Sequence, residues 1–187
     1  MKNPITQRYL NERPAFSTTY LLVDGYNIIH AWSRLKELAN GSLDAARTVL
    51  VDILANYKGV HHQEIIVVFD AHKVNGGIGS VERRNGIYMV YTREAETADE
   101  YIERAVGEIV RENFHVRVAT SDYIEQIVIM GQGAARIHAE ELEKEVQEAE
   151  ASIRRQINDT KPIRKNRLFE NLDPKMAEIL ERLRMGE

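Results

Sequence analysis

The sequence predicts an α/β sandwich with a central, mainly parallel sheet. Short continuous apolar runs rich in β-branched residues alternate with segments of helical spacing, the pattern of a sheet covered on both faces. The runs are four or five residues long and several stop at an aspartate, so each reads as a buried strand entering a loop.

Tyr20-Leu21-Leu22-Val23 is the first such run and closes at Asp24-Gly25. Helical spacing follows at Ile28, Ile29, Trp32, Leu35 and Leu38, stopped by Asn40-Gly41. Ser42 is placed to cap a second helix carrying Leu43, Ala46, Leu50, Ile53, Leu54 and Tyr57, which Gly59 is expected to end. Ile65 to Phe69 is a strand meeting Asp70, and glycine-rich residues 71–86 read as a long loop. Ile87 to Tyr91 is a third strand. Thr97 to Asn113 is a helix opened by a Thr97-x-x-Glu100 capping box. His115 to Ala119 is a fourth strand, closed by Thr120-Ser121-Asp122. A short helix through Ile124, Ile127 and Val128 to Gly131, an edge strand at Ala134 to Ile137, and a charged helix from His138 to about Ile157 complete the domain. The expected organisation is a loose arm at 1–19, one domain at 20–157, and a basic extension at 158–187 ending in a helix after Pro174.

Composition narrows the chemistry. At 187 residues, 43% hydrophobic and 29% charged, the chain suits a globular protein with a sizeable core, neither disordered nor membrane-spanning. Its opening nineteen residues lack the apolar core of a signal peptide. Having no cysteine excludes a disulfide framework, a thiolate zinc site and a cysteine nucleophile, and fits a reducing cytoplasm. The net charge of -4 averages unlike parts: residues 139–151 carry net -5 and residues 154–167 net +5. Arg154, Arg155, Arg164, Lys165 and Arg167 in the latter block suit docking to RNA or a ribosome.

The aspartates are the informative feature. Asp24, Asp70 and Asp122 each sit at or just past the end of a predicted strand, and Asp99 lies in the first turn of a helix after another. In an open parallel sheet the strand ends converge on one crevice. Singly, Asp24 before glycine reads as a turn former, and Asp99 or Asp122 as a helix-end charge. Together, four carboxylates facing one another would repel or take up protons. A hard divalent cation such as Mg2+ or Mn2+ resolves that conflict through oxygen ligands, and two such ions can activate a water against a phosphodiester.

The runs Leu22-Val23-Asp24-Gly25-Tyr26-Asn27, Val68-Phe69-Asp70-Ala71-His72, Glu96-Thr97-Ala98-Asp99-Glu100-Tyr101-Ile102 and Ala119-Thr120-Ser121-Asp122 resemble the NYN branch of the PIN-like nucleases. With Gly131-Gln132-Gly133-Ala134, the likeness narrows to YacP-type NYN proteins, which include a ribosome-associated endoribonuclease that cuts messenger RNA in the ribosomal A site. The resemblance covers about residues 20–157. It implies a three-layer α/β/α PIN-like sandwich and metal-dependent endoribonucleolytic cleavage of single-stranded RNA, in particular mRNA on the ribosome, in the cytoplasm. Asp24, Asp70, Asp99 and Asp122 would then be the catalytic, metal-binding acids for Mg2+ or Mn2+. Asn27 would position a metal-bound water or a phosphate, and Thr97 and Ser121 would orient the neighbouring acids. Glu94 and Glu96 both flank the third motif, leaving either available to the site. His138 stands where the family pattern leads us to expect a small serine.

The other constellations are read more simply. Asn75-Gly76-Gly77-Ile78-Gly79 lacks the Gly-Lys-Ser/Thr of a P-loop; it reads as a flap beside the acids, offering Lys73, Arg83 and Arg84 to RNA phosphates, with His72 as a substrate contact. His61-His62 reads as a solvated turn, and Trp32 and Tyr57 as core. The competing functions are a non-catalytic RNA- or ribosome-binding module on the same fold and a DNA-directed 5′ nuclease. The full set of four aspartates argues against the first, and the lack of a recognisable DNA clamp against the second.

Overall fold

The computed structural model describes residues 19–70, 79–122 and 128–159. It forms strands β1 (Thr19–Asp24), β2 (Glu64–Phe69), β3 (Ser80–Arg84), β4 (Ile87–Tyr91), β5 (His115–Ala119) and β6 (Ala135–Ile137). The helices are α1 (Gly25–Ala31), α2 (Ser33–Gly41), α3 (Leu43–His61), α4 (Ala98–Arg111) and α5 (Ala139–Asp159), with a further helical turn at residues 128–131. The chain divides into two compact units, Met1–Glu150 and Ala151–Glu187, and of the second only the last turns of α5 are described.

The sheet runs in the order β3-β4-β2-β1-β5-β6, every pair parallel except β3 with β4. Chain order therefore turns outward in both directions from β1, which puts the switch point beside β1 with β5 as its neighbour. Alternation along the strands splits the core in two. Leu21, Val23, Ile65, Val67 and Phe69 pack with α1, α2, α3 and α5. Tyr20, Leu22, Ile66 and Val68 pack with α4 on the other face. This three-layer α/β/α arrangement is the one the apolar runs predict.

Three local features differ from expectation, each for a physical reason. The helix expected through Ile28 and Leu38 is two helices, broken at Trp32, whose backbone is extended (φ -85°, ψ 117°). The break seats the buried indole so that its Nε1 donates to the Ala139 carbonyl at 2.8 Å, tying α1 to the start of α5. Trp32→Phe removes that donor and is expected to lower stability by about 1–2 kcal/mol, read as the midpoint of urea unfolding. Gly59 does not end α3, which continues to His61 and stops where His62 takes the left-handed conformation (φ 50°). His61 lies against the Tyr57 ring, centroids 4.3 Å apart.

The third difference is the largest. Residues 80–86 are not loop but the outer strand β3 and a tight turn, with Ser80 paired to Tyr91 and Arg84 to Ile87. Asn85 and Gly86 both have positive φ, 52° and 80°, as a two-residue type I′ hairpin requires. Asn-Gly at those positions was the available signal. Residues 71–78 lie outside the described part.

Other expectations hold. Ser42 caps α3 by accepting from Ala45 N–H. The Thr97–Glu100 capping box is complete. Trp32 and Tyr57 are core residues. On the α3 and α5 side of the sheet, Arg117 of β5 grips Glu145 of α5 with both guanidinium nitrogens (2.7 and 3.2 Å), and Tyr57 donates to the same carboxylate. Burial alone would raise the Glu145 carboxyl, but these bonds outweigh it and hold it below its usual value. Among the described residues, no helix is long and apolar enough to cross a membrane.

Candidate nuclease site

Four acids reach the C-terminal edge of the sheet from four different elements. Asp24 is the last residue of β1 and the N-cap of α1, accepting from Asn27 N–H at 3.1 Å. Asp70 follows β2, and its Oδ1 accepts from Ala98 N–H at 2.7 Å. That bond ties the exit of β2 to the first turn of α4, where Asp99 sits. Asp122 follows β5, its own N–H donating to Thr120 Oγ1 at 3.0 Å.

Asn27 joins two of these segments, since its Oδ1 accepts from Ser121 N–H at 2.8 Å. One short stretch of α1 thus caps on Asp24 and anchors the loop that carries Asp122. Thr97 acts on Glu100 through the capping box, while Ser121 contributes its backbone N–H.

The electrostatics show that the acids feel one another. Burial leaves Asp24 only 8% exposed and is the main reason its carboxyl rises from 3.8 to about 6; the charges of Asp99 and Asp70 add to this, against lowering bonds from the Asn27 and Tyr26 backbone. Asp99 is raised too, by burial first and then by Asp122, Asp70 and Glu100. Without a counter-ion this edge stores like-charge repulsion.

The two glutamates flanking α4 are resolved differently. Glu96 forms an ion pair with Arg104, and Glu94 is exposed. The charges acting on Asp24 and Asp99 come from Asp70, Asp99, Asp122 and Glu100 instead.

The basic residues expected to meet RNA divide by position. Arg83 and Arg84 lie on β3 toward the turn, so antiparallel pairing carries them to the end of the sheet away from the acids. There Arg83 stacks over Tyr88 at 5.0 Å and Arg84 donates to Thr48 at 3.3 Å. They do not sit in a flap beside the acids. Arg154 and Arg155 are exposed on the last turns of α5. Lys73, His72, Arg164, Lys165 and Arg167 fall outside the described residues.

Two buried polar residues support these segments. Thr120 is fully buried and orients the Asp122 backbone; the Thr-Ser-Asp pattern at a strand end was a usable sign. Arg47 is 9% exposed, donates to the Tyr26 hydroxyl at 2.7 Å and pairs with Asp44. Tyr26 also feels the charge of Asp70. No sequence pattern marks a buried arginine at an ordinary helical position.

The donor set suits a hard cation. It is all carboxylate oxygen, and its two most perturbed members are held toward protonation by burial and by their neighbours. Among the described residues, no three Asp, Glu, His or Cys side chains are gathered closely enough to hold a metal ion between them.

Comparison with known proteins bears on the family and the fold. The family model of the YacP-like NYN domain matches residues 21–185. The chain is 44% identical over 137 residues to the uncharacterized protein YacP of Bacillus subtilis (strain 168), covering 73% of this chain and 80% of that protein. It is similar to the crystal structure of Rae1 (YacP) from Bacillus subtilis, with TM-score 0.67 and 40% identity over 89% of this chain and 95% of the other. A mutant of that protein matches with TM-score 0.64 and 42% identity over 78% and 86%. The chain belongs to the YacP-like NYN domain family, whose function is nuclease-type and RNA-related.

Proposed function

We propose that this protein is a metal-dependent endoribonuclease that cleaves single-stranded RNA, with mRNA in association with the ribosome as its substrate. The observation that carries the proposal is that Asp24, Asp70, Asp99 and Asp122 stand along one sheet edge within electrostatic reach of one another, with Asp24 buried and pushed up to about 6. Such a set is costly to fold around unless a cation offsets it. Asp24, Asp70, Asp99 and Asp122 would hold Mg2+ or Mn2+, which when bound supplies an activated water and neutralises charge on the phosphodiester. The chain's own parts do the positioning. Asn27 holds the Asp122 loop against α1, and the Asp70–Ala98 bond holds Asp99 toward the same edge. The ribosomal part rests on family likeness and on the basic block at 154–167.

The test is cleavage of a short single-stranded RNA by the full chain with Mn2+, native against Asp24→Asn, with RNA binding measured in parallel. Native cleavage lost in the variant, with binding retained, supports the proposal. Binding without cleavage by the native chain, on free RNA and on translating ribosomes alike, overturns it in favour of a binding module. Equal cleavage of free and ribosome-bound mRNA removes the ribosomal part alone.

A further inference from the structure

On the far side of the acids from the β3–β4 hairpin, β6 and the residue after it bring Arg136 and His138 to the same edge. Val118 pairs with Arg136 and Ala119 with Ile137, while Val23 pairs with Ala119 on the other side of β5. Thr120 N–H donates to the Ile137 carbonyl at 3.4 Å. One step further along this register, His138 comes level with Thr120 and, one strand beyond, with Asp24. At about 4.8 Å per strand, that places the His138 backbone about 10 Å from Asp24.

Alternation fixes which face the pair occupies. Ile137 packs into the core on the α1–α3 side, as do Val23 and Ala119. Arg136 and His138 therefore point to the other face, with Thr120 and Asp24. Arg136 is exposed and His138 half-buried. The pair is organised: Arg136 Nη1 lies 2.7 Å from His138 Nε2, and the His138 backbone donates to Glu141 Oε2 at 2.9 Å. Glu140 and Glu141 occupy the first turn of α5, so the helix end is already met by acid and the cation here is the guanidinium. Arginine presents five N–H donors in a fork that matches phosphate oxygens.

We propose that Arg136, braced by His138, binds a backbone phosphate of the RNA strand beside the position held by the aspartates. This rests on the RNA-cleaving function proposed above. A polyanion crossing an edge built from four carboxylates needs a fixed cation flanking them, and Arg136 meets that need on the β6 side.

The experiment is binding of a labelled single-stranded oligoribonucleotide to the full chain carrying Asp24→Asn, which prevents cleavage, at constant Mg2+ and varied NaCl. Adding Arg136→Ala is expected to flatten the plot of log affinity against log salt by about 0.7, the contribution of one phosphate on a single strand. Affinity at moderate salt should fall severalfold, and Arg136→Lys should restore most of the slope. Arg83→Ala, at the opposite end of the sheet, should leave it unchanged. An unaltered slope for Arg136→Ala, in a variant with the native unfolding midpoint, overturns the inference while leaving the nuclease reading intact. A slope lowered equally by Arg83→Ala also overturns it, because the contact would not be local. Failure of both the native chain and the Asp24→Asn chain to bind RNA overturns the nuclease reading, and this inference with it.

Discussion

In metal-free buffer at neutral pH, Asp24→Asn is expected to make the protein more stable, by up to about 3 kcal/mol. The direction follows from the raised carboxyl, which stands at about 6 in the fold against 3.8 ordinarily, through burial and the charges of Asp99 and Asp70. A group that holds its proton more tightly in the folded state favours folding below about pH 4. That contribution is lost as pH rises from 3.8 through about 6. At pH 7 the native chain carries a buried, repelled carboxylate, whereas the amide carries no charge and can still accept from Asn27 N–H as an N-cap. The difference between the two unfolding midpoints should therefore widen between pH 4 and 7. Added Mn2+ should raise the native midpoint and leave the variant's nearly unmoved. A variant less stable than native at pH 7 would show that Asp24 is an ordinary structural cap.

Gly25→Ala is expected to cost about 1–3 kcal/mol, the range for forcing atoms into a packed core. A Cβ at Gly25 would come within 3.0 Å of three atoms of the Phe69 ring. That ring cannot yield easily. Phe69 is fully buried, meets Tyr26 edge-on at 5.3 Å and stacks with Tyr91 at 5.6 Å. Because Gly25 follows Asp24 and Phe69 precedes Asp70, relief of the clash must move one acid against the other. Cleavage measured well below the unfolding midpoint should therefore fall further than stability accounts for. A native midpoint in urea would contradict the tight approach of β1 and β2 at this point.

The division between what the sequence disclosed and what it concealed follows burial. β1, β2 and β4 carry continuous apolar runs because both faces are covered, and such runs stand out; β5 reads His115-Val116-Arg117-Val118-Ala119 and is marked by its valines and by the Thr120-Ser121-Asp122 that closes it. β3 is an edge strand, mostly exposed and reading Ser80-Val81-Glu82-Arg83-Arg84; charge on an edge strand guards against aggregation and also hides the strand. Its Asn85-Gly86 turn was outweighed by the glycines just before it. The break at Trp32 was hidden because apolar spacing continues unchanged from α1 into α2. Gly59 misled because the residue that ends α3 is His62, a left-handed non-glycine. The place of the four aspartates, three at strand ends and one in the first turn of α4, was legible from the apolar runs and the capping box. Their supports were less so: Thr120 and Arg47 act through buried contacts across distant segments, and no local pattern encodes that. The fate of Glu96 depended on Arg104, eight residues along in α4.

Direct binding of Mn2+ to the full chain, followed by titration calorimetry, bears most immediately on the idea that these aspartates form one cation site. Asp24→Asn, Asp70→Asn, Asp99→Asn and Asp122→Asn should each weaken binding at least about tenfold, as loss of a ligand or its direct support does. Glu94→Gln and Glu96→Gln should bind as the native chain does. Undiminished binding in the aspartate variants, or equal losses in the two glutamate variants, would contradict a site built from Asp24, Asp70, Asp99 and Asp122.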